Sequence, residues 1–344
     1  MPAPALPAAL LRLARLSNAP TVVSQCLAGA ALGAIAQRDA ELDGTALLRS
    51  VGIVLLTYAG GMILNDVLDE PVDRQERPDR PLPSGQIGRA TAAAAAVACL
   101  GGALGLAWGF GHGTEAKFAT ALVIVAVVYN AMHLVTAGTV VLLGTCRGLV
   151  YPVAALAQFE GAWSAADRDA SLAMAVFVGL YVTLFSVVAR GEAEREPAPS
   201  AGFRCDRCGS REVADRAACP SCGQAVDVAS GVGVIGHRRA DPGRRGAWLE
   251  WLGTVPLLGV IAAAAPREPL ALPAAVAVLV VTMAAGRRAR AGGAAIGPAV
   301  GLWIAAIALV DATLLLALGN AWLGLGAAAC FLVARLAARR IAPS

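Results

Sequence analysis

Residues 64–85 read LNDVLDEPVDRQERPDRPLPSG, a stretch that closes an apolar run with six carboxylates, three arginines and four prolines. The contrast matters because the chain around it is 57% hydrophobic and only 15% charged, with a mean hydropathy of +0.65. Soluble domains hold roughly 45–50% apolar and about 25% charged residues. The charges of this chain also gather into short clusters between apolar blocks, whereas a solvated surface spreads them. These features describe a membrane protein whose polar chemistry is confined to a few segments.

Apolar blocks of bilayer-spanning length, about 17–25 residues for a helix, fall near 17–37, 46–65, 90–110, 116–135, 137–158, 168–190, 247–265, 270–286, 297–318 and 320–338. The blocks at 270–286 and 320–338 are the weakest and are also compatible with re-entrant or interfacial segments. The expected fold is all-α, a polytopic transmembrane bundle of about nine or ten spans. The blocks are apolar on all sides, as buried or lipid-facing helices are. The N-terminus lacks the charged-then-apolar order of a cleavable signal peptide, so the first span is expected to be retained.

Arginine placement orients the bundle, because cytoplasmic loops carry the excess of basic residues. With Arg12 and Arg15 inside, the loops holding Arg74, Arg77, Arg80 and Arg89, the polar segment 191–246, Arg287, Arg288 and Arg290, and the C-terminal Arg335, Arg339 and Arg340 all fall inside too. The chain then divides into an N-terminal membrane part (1–190), a cytoplasmic insert (191–246) and a C-terminal membrane part (247–344). The net charge of +4 is carried by arginine, with Lys117 the only lysine, and gives no reason to expect a nucleic-acid partner.

Within the quoted stretch Asn65, Asp69 and Asp73 recur every fourth position, so a helix continuing from the second span stacks them on one face, with Asp66 pointing aside. Pro71 suggests a kink or restart there. Like charges at this spacing repel, and hard oxygen donors suit Mg²⁺. Arg74, Arg77 and Arg80 supply planar donors for phosphate, and Pro78, Pro81, Pro83 and Gly85 shape the loop. Acids beside bases read as a metal-bridged diphosphate site. A solvated juxtamembrane loop with Asp–Arg pairs is the competing reading.

The same residues resemble the first aspartate-rich signature of the UbiA superfamily of intramembrane prenyltransferases, N-D-x-x-D-x-x-x-D followed by R-P-x-R-P-L-P-S-G. Asn65, Asp66, Asp69, Asp73, Arg77, Pro78, Arg80, Pro81, Leu82, Pro83, Ser84 and Gly85 all match. YNAMH at 129–133 is similar to the family's Y-x-x-x-K segment, with His133 in the lysine position. LLGTCRGLVY at 142–151 and ALVDATLLLAL at 308–318 resemble the EboC-like branch. The family usually has one span fewer than the ten blocks counted above.

The resemblance implies that Asn65, Asp69 and Asp73 bind Mg²⁺, that Arg77 and Arg80 hold the diphosphate of an allylic prenyl donor, and that Asp66, Tyr129, His133, Arg147 and Arg190 contribute to substrate binding. It implies an enzyme, a prenyltransferase that ionises the donor and passes its isoprenyl group to an unidentified acceptor. Tyr58, Tyr129, Tyr151 and Tyr181 could face the carbocation, although interfacial anchoring is common for tyrosine. The family's second signature, D-x-x-x-D after the sixth span, is missing from LFSVVARGEAEREPAP; Glu192 and Glu196 keep its spacing and could hold a second Mg²⁺, or open an ordinary polar linker. That departure keeps a second function class open, a non-catalytic member that binds or transports an isoprenoid or lipid. His133, Arg147 and Asp311 lie within or at the ends of apolar blocks, where polar groups are costly; for Asp311 an interhelical pair with an arginine is the plain structural explanation.

Within the insert, Cys205, Cys208, Cys219 and Cys222 form two C-x-x-C pairs, each followed by glycine, a spacing suited to one tetrahedral Zn²⁺. Disulfides are the rival, disfavoured in a cytoplasmic segment. Four thiolates close the metal shell, so the zinc ribbon is expected to be structural, or to recruit a protein partner. The expected location is integral and multi-pass in a cytoplasmic or inner membrane, with the site loops and the ribbon on the cytoplasmic side.

Overall fold

The computed structural model describes residues 6–36, 41–133, 137–158, 165–193, 203–204, 211–212, 269, 271–291 and 295–340. Its elements are α1 (Leu6–Leu13), α2 (Ala19–Ala36), α3 (Gly44–Glu76), α4 (Arg89–Phe110), α5 (Gly113–Met132), α6 (Val140–Ala157), α7 (Ala165–Ala193), the short antiparallel strands β1 (Phe203–Arg204) and β2 (Arg211–Glu212), then α8 (Ala271–Ala291), α9 (Ile296–Ala317) and α10 (Ala321–Arg340). Among the described residues, eight helices are long and apolar enough to cross a membrane. Nine of the ten apolar blocks thus coincide with helices, α2 included, and 247–265 lies outside the described residues. The two weak blocks are the continuous helices α8 and α10, of 21 and 20 residues.

Helix α3 is the element that positions the site. Asp43 caps it by accepting from the Thr45 amide at 2.7 Å, and the helix runs unbroken for 33 residues through Pro71. The expected restart at Pro71 is therefore corrected to a helix that continues through it: proline forfeits one hydrogen bond, and the turns on both sides carry on. At 1.5 Å per residue α3 is about 50 Å long, against a hydrocarbon core of roughly 30 Å. The helix is thus long enough for its last three turns, from Asn65 on, to extend past a layer of that thickness. The helix stops at Arg77 because the residue before a proline is pushed out of helical geometry, and Arg77 sits at φ −143°.

The loop after α3 folds back on it. Leu82 and Ile87 are buried with Ile63 and Val67 of α3 and Ala92 and Ala96 of α4. The Ser84 amide donates to Arg80 O at 3.0 Å, and the turn closes at Gly85 with φ +74°, a conformation that disfavours any side chain. The PLPSG run thereby fixes where Arg80 points.

Small residues let the spans pack closely. A methyl on Gly29 or Gly33 of α2 would strike the α6 backbone at Tyr151 and Ala155, and one on Gly144 or Gly148 of α6 would strike Gly179 and Ala175 of α7. Such close approach is how membrane helices gain packing energy when lipid is as apolar as leucine. The lipid-facing surface is apolar, with Val97, Ile124, Val141, Val176, Leu180 and Val280 exposed. At the end of the bundle opposite the α3 overhang, Arg49 donates to the fully buried Glu115 at 2.9 Å and to Ala157 O at 3.1 Å, tying α3, α5 and α6 together.

Gly148→Val is expected to lower stability by about 2 kcal/mol or more, because a side chain there meets backbone and cannot be accommodated by a rotamer change. Gly105→Ala, in open space on α4, should change it by less than ~1 kcal/mol. Thermal unfolding of the purified protein in detergent separates the two.

Candidate active site

At 100° per residue, positions four apart drift by about 40° around a helix, whereas positions seven apart differ by only about 20°. This geometry corrects the single column expected from Asn65, Asp69 and Asp73. Asp69 and Asn65 turn toward α5, where His133 Nε2 lies 2.8 Å from Asp69 Oδ1 and 3.2 Å from Asn65 Nδ2. Asp73 instead shares a meridian with Asp66, and Arg80 Nη1 stands 2.7 Å from Asp73 Oδ2 and 3.7 Å from Asp66 Oδ1. Asp66, expected to point aside, is 2% exposed and also accepts from Arg15 at 3.2 Å. Glu70 pairs with Arg74 at 2.7 Å and Arg89 at 3.4 Å.

Asp66, Glu70 and Asp73 each face an arginine and Asp69 faces His133, so these four acids have basic partners within the protein. The cations are needed because the carboxylates lie near the negative end of the α3 dipole and are largely out of water. His133 serves as one of them. Its Nδ1 donates to the Asn130 carbonyl at 2.9 Å, which can only accept, and its Nε2 stands 2.8 Å from Asp69 Oδ1, so the carboxylate favours a proton there as well. The hydrogen bond to Asp69 is the largest cause raising the His133 pKa above its ordinary value.

The donor set fits a hard dication. Asp66 and Asp73 each use one oxygen on arginine, Asp69 uses one on histidine, and the other three oxygens have no protein hydrogen bond among the described residues; Asp66 Oδ2 is buried without a partner. Among the described residues no three acidic, imidazole or thiol groups converge on one point. Mg²⁺ takes one or two carboxylates and leaves the rest of its shell to water and phosphate, so convergence of three is not required.

Of the two arginines given a diphosphate role, Arg80 is turned onto the aspartates while Arg77 is exposed at the end of α3. Arg190 donates to the His133 carbonyl and to Thr139 Oγ1, joining α7 to the α5–α6 connection. Beneath the acids lies a cavity of about 210 Å³ whose lining includes Asn65, Tyr58, Tyr129, Asn130, Arg147 and Arg15. Tyr58 and Tyr129 are thus the tyrosines that can face a bound cation. Tyr151 instead donates to Asp311 at 2.6 Å, and Tyr181 to Trp303 O at 3.0 Å, away from the cavity. Asp311 is correspondingly held by the hydroxyls of Tyr151 and Ser24, not by an arginine. The side chain of Glu192, Glu196 and the four cysteines Cys205, Cys208, Cys219 and Cys222 lie outside the described residues.

Sequence reasoning missed Arg15 and Asn130 as site residues. Arg15 had served only as an inside marker. Its left-handed backbone, φ 45°, at the α1–α2 corner carries no sequence signature beyond the following LSN turn, and Tyr58 holds that corner by donating to Arg15 O at 3.0 Å.

The acids on the α3 overhang, with Arg80 folded onto them above an apolar cavity, coincide with a known family. Residues 22–191 match the model of the UbiA prenyltransferase family. The match spans just under half of the chain. Relatives named digeranylgeranylglyceryl phosphate synthase are 34% identical over 157 residues in Metallosphaera sedula (44% of this chain, 52% of the relative) and 32% identical over 189 residues in Ignicoccus hospitalis (53% and 58%). The chain therefore spans about half the length of the curated relatives it matches. A solved structure from a study of digeranylgeranylglyceryl phosphate synthase in membranes superposes with a TM-score of 0.52 at 16% identity, covering 91% of this chain and 98% of that one. The likeness in fold thus extends beyond the matched segment, and the chain is an integral, multi-pass membrane protein.

Arg80→Ala leaves Asp66 and Asp73, both nearly buried, without their shared cation and should cost about 3 kcal/mol or more. Glu70→Gln, whose arginine partners are 65% and 55% exposed, should cost less than ~1 kcal/mol. Unfolding of both variants in metal-free buffer checks the contrast.

Proposed function

We propose that this chain is a Mg²⁺-dependent intramembrane prenyltransferase that takes an allylic prenyl diphosphate from the membrane and transfers its isoprenyl group to an acceptor. The observation that carries the reading is the set of unshared carboxylate oxygens on Asp66, Asp69 and Asp73, beside Arg80, on the helix turns that follow Asn65, a lining residue of an apolar cavity. Asn65, Asp66, Asp69 and Asp73 would hold the ion. When bound, Mg²⁺ neutralises the diphosphate and eases its departure.

The residues of this chain do the rest. Arg80 and Arg15 can exchange carboxylate for diphosphate oxygens, and Arg77, exposed beside them, can reach the same group. The allylic C–O bond breaks with its electron pair leaving on the diphosphate; the acceptor gives a pair to the allylic carbon and loses a proton. Tyr58 and Tyr129 present ring faces to the cationic carbon, and the apolar lining excludes water that would otherwise quench it. The relatives' name makes a prenylated glycerol phosphate the first acceptor to try.

The EboC-like assignment rests on residues 142–151 of α6, which include the cavity-lining Leu143, Cys146, Arg147 and Val150, and on residues 308–318 at the C-terminal end of α9. The division into membrane parts 1–190 and 247–344 around an insert at 191–246, with the insert and site loops in the cytoplasm, follows from arginine placement. For the insert we propose a structural zinc ribbon. The antiparallel pairing of Phe203 with Glu212 and Arg204 with Arg211, which flank Cys205 and Cys208 in sequence, supports it. Elemental analysis of the purified protein should find about one zinc per chain, lost in Cys205→Ser with Cys222→Ser.

Asp69→Asn and Asp73→Asn are each expected to lower Mg²⁺-dependent diphosphate release by about 10²-fold or more, the scale of losing one electrostatic contact to developing charge. Purified protein incubated with prenyl diphosphates of several lengths and mixed acceptors gives the readout. If wild type consumes no donor, the isoprenoid-binding or transport reading replaces this one.

A further inference from the structure

Residues 271–340, which carry α8, α9 and α10, hold six arginines and a single carboxylate, Asp311. The arginines all fall in the last turns of α8 or α10, within about 8 Å of a helix end. Asp311 lies about 15 Å along α9 from Gly301 and is taken by Tyr151 and Ser24. This corner of the bundle therefore gathers positive charge with no acid to meet it.

Helices α8 and α10 both pack on α9. Gly297 and Gly301, four apart on one side of α9, leave a shallow floor: a methyl on Gly297 would meet nothing, and one on Gly301 would meet only Arg335 Nη1, at 3.9 Å. Arg335 thus lies across α9, where it stands in the repulsive field of Arg288 on α8 and of Arg339 one turn further along α10. Among the described residues none of these three has a carboxylate within ion-pair distance. Like charges held this way repel, and the four-residue spacing of Arg335 and Arg339 adds to the cost. Arginines at span ends also orient a membrane protein, but orientation does not require them to converge over a glycine floor.

The surface beside the cluster is apolar. Leu332 and Leu336 precede Arg335 and Arg339 by three residues, share their side of α10 and are exposed. Guanidiniums at a helix end with aliphatic side chains running down from them match both halves of a phospholipid, whereas a soluble anion would use the arginines alone.

We propose that Arg288, Arg335 and Arg339 clamp the phosphate of an anionic phospholipid over the start of α9, with its acyl chains lying along Leu332 and Leu336. The clamp is built from other helices than the acids of α3, and it stands or falls independently of the prenyltransferase reading.

The test titrates the full-length protein in uncharged detergent with phosphatidylglycerol, with phosphatidylcholine of the same chains and with soluble glycerol phosphate, and counts bound lipid by native mass spectrometry. Phosphatidylglycerol should bind about tenfold more tightly than phosphatidylcholine or better, the scale expected of three arginines at a lipid phosphate, and glycerol phosphate should not displace it. Arg335→Gln should reduce the preference to about threefold or less. Arg288→Gln with Arg339→Gln should do the same, and because both side chains are exposed this pair keeps the test open if Arg335→Gln does not fold. Arg74→Gln with Arg77→Gln removes the same charge from α3 and should leave the preference unchanged. Equal affinity for the two lipids in wild type, a preference that survives in the Arg288, Arg339 variant, or an equal loss in the Arg74, Arg77 variant overturns the proposal. Displacement by glycerol phosphate overturns it too, in favour of a soluble anion.

Discussion

A carboxylate can be buried at the edge of a bilayer only against a cation, and α3 buries Asp66, Glu70 and Asp73 in its last turns. The rest of this end of the bundle is arranged around that requirement. The PLPSG loop returns Arg80 to Asp66 and Asp73, the α1–α2 corner brings Arg15, α5 ends on His133, and α7 steadies that end through Arg190. Each cation comes from a different element, so the acids act as the tie between them.

The same arrangement underlies the proposed site for a dication and a diphosphate in an apolar protein. Arg80 and Arg15 neutralise the aspartates through one oxygen each and leave the others unshared. Arginine suits this double duty because its planar fork matches carboxylate and phosphate equally well. The apolar cavity beneath accounts for the remaining need, a water-poor space for a lipid chain.

Much of this was legible in the sequence because the signals were local. Apolar run length gave the spans, and residues 64–85 gave the acids, the arginine that matters and the turn that aims it. What escaped depended on angular drift and on long-range approach. Four-residue spacing over two turns looks like one face, yet its accumulated rotation sends Asn65 and Asp69 to His133 and leaves Asp73 with Asp66. Pro71 looks like a break, yet the turns around it sustain the helix. Arg15 is fifty-one positions from Asp66, and no spacing rule links them. Asp311 looked like half of an ion pair because its hydroxyl partners, Ser24 and Tyr151, lie far away in sequence.

The central claim is that the spare oxygens of Asp66, Asp69 and Asp73 receive a dication that bridges to a lipid diphosphate. Electron paramagnetic resonance with Mn²⁺ in place of Mg²⁺ tests it directly, on purified protein with a prenyl diphosphate analogue whose allylic bond cannot ionise. The account predicts a bound Mn²⁺ spectrum with coupling to phosphorus that disappears in the Asp66→Asn, Asp69→Asn double variant. A spectrum of freely hydrated Mn²⁺, or phosphorus coupling that survives both substitutions, would contradict it.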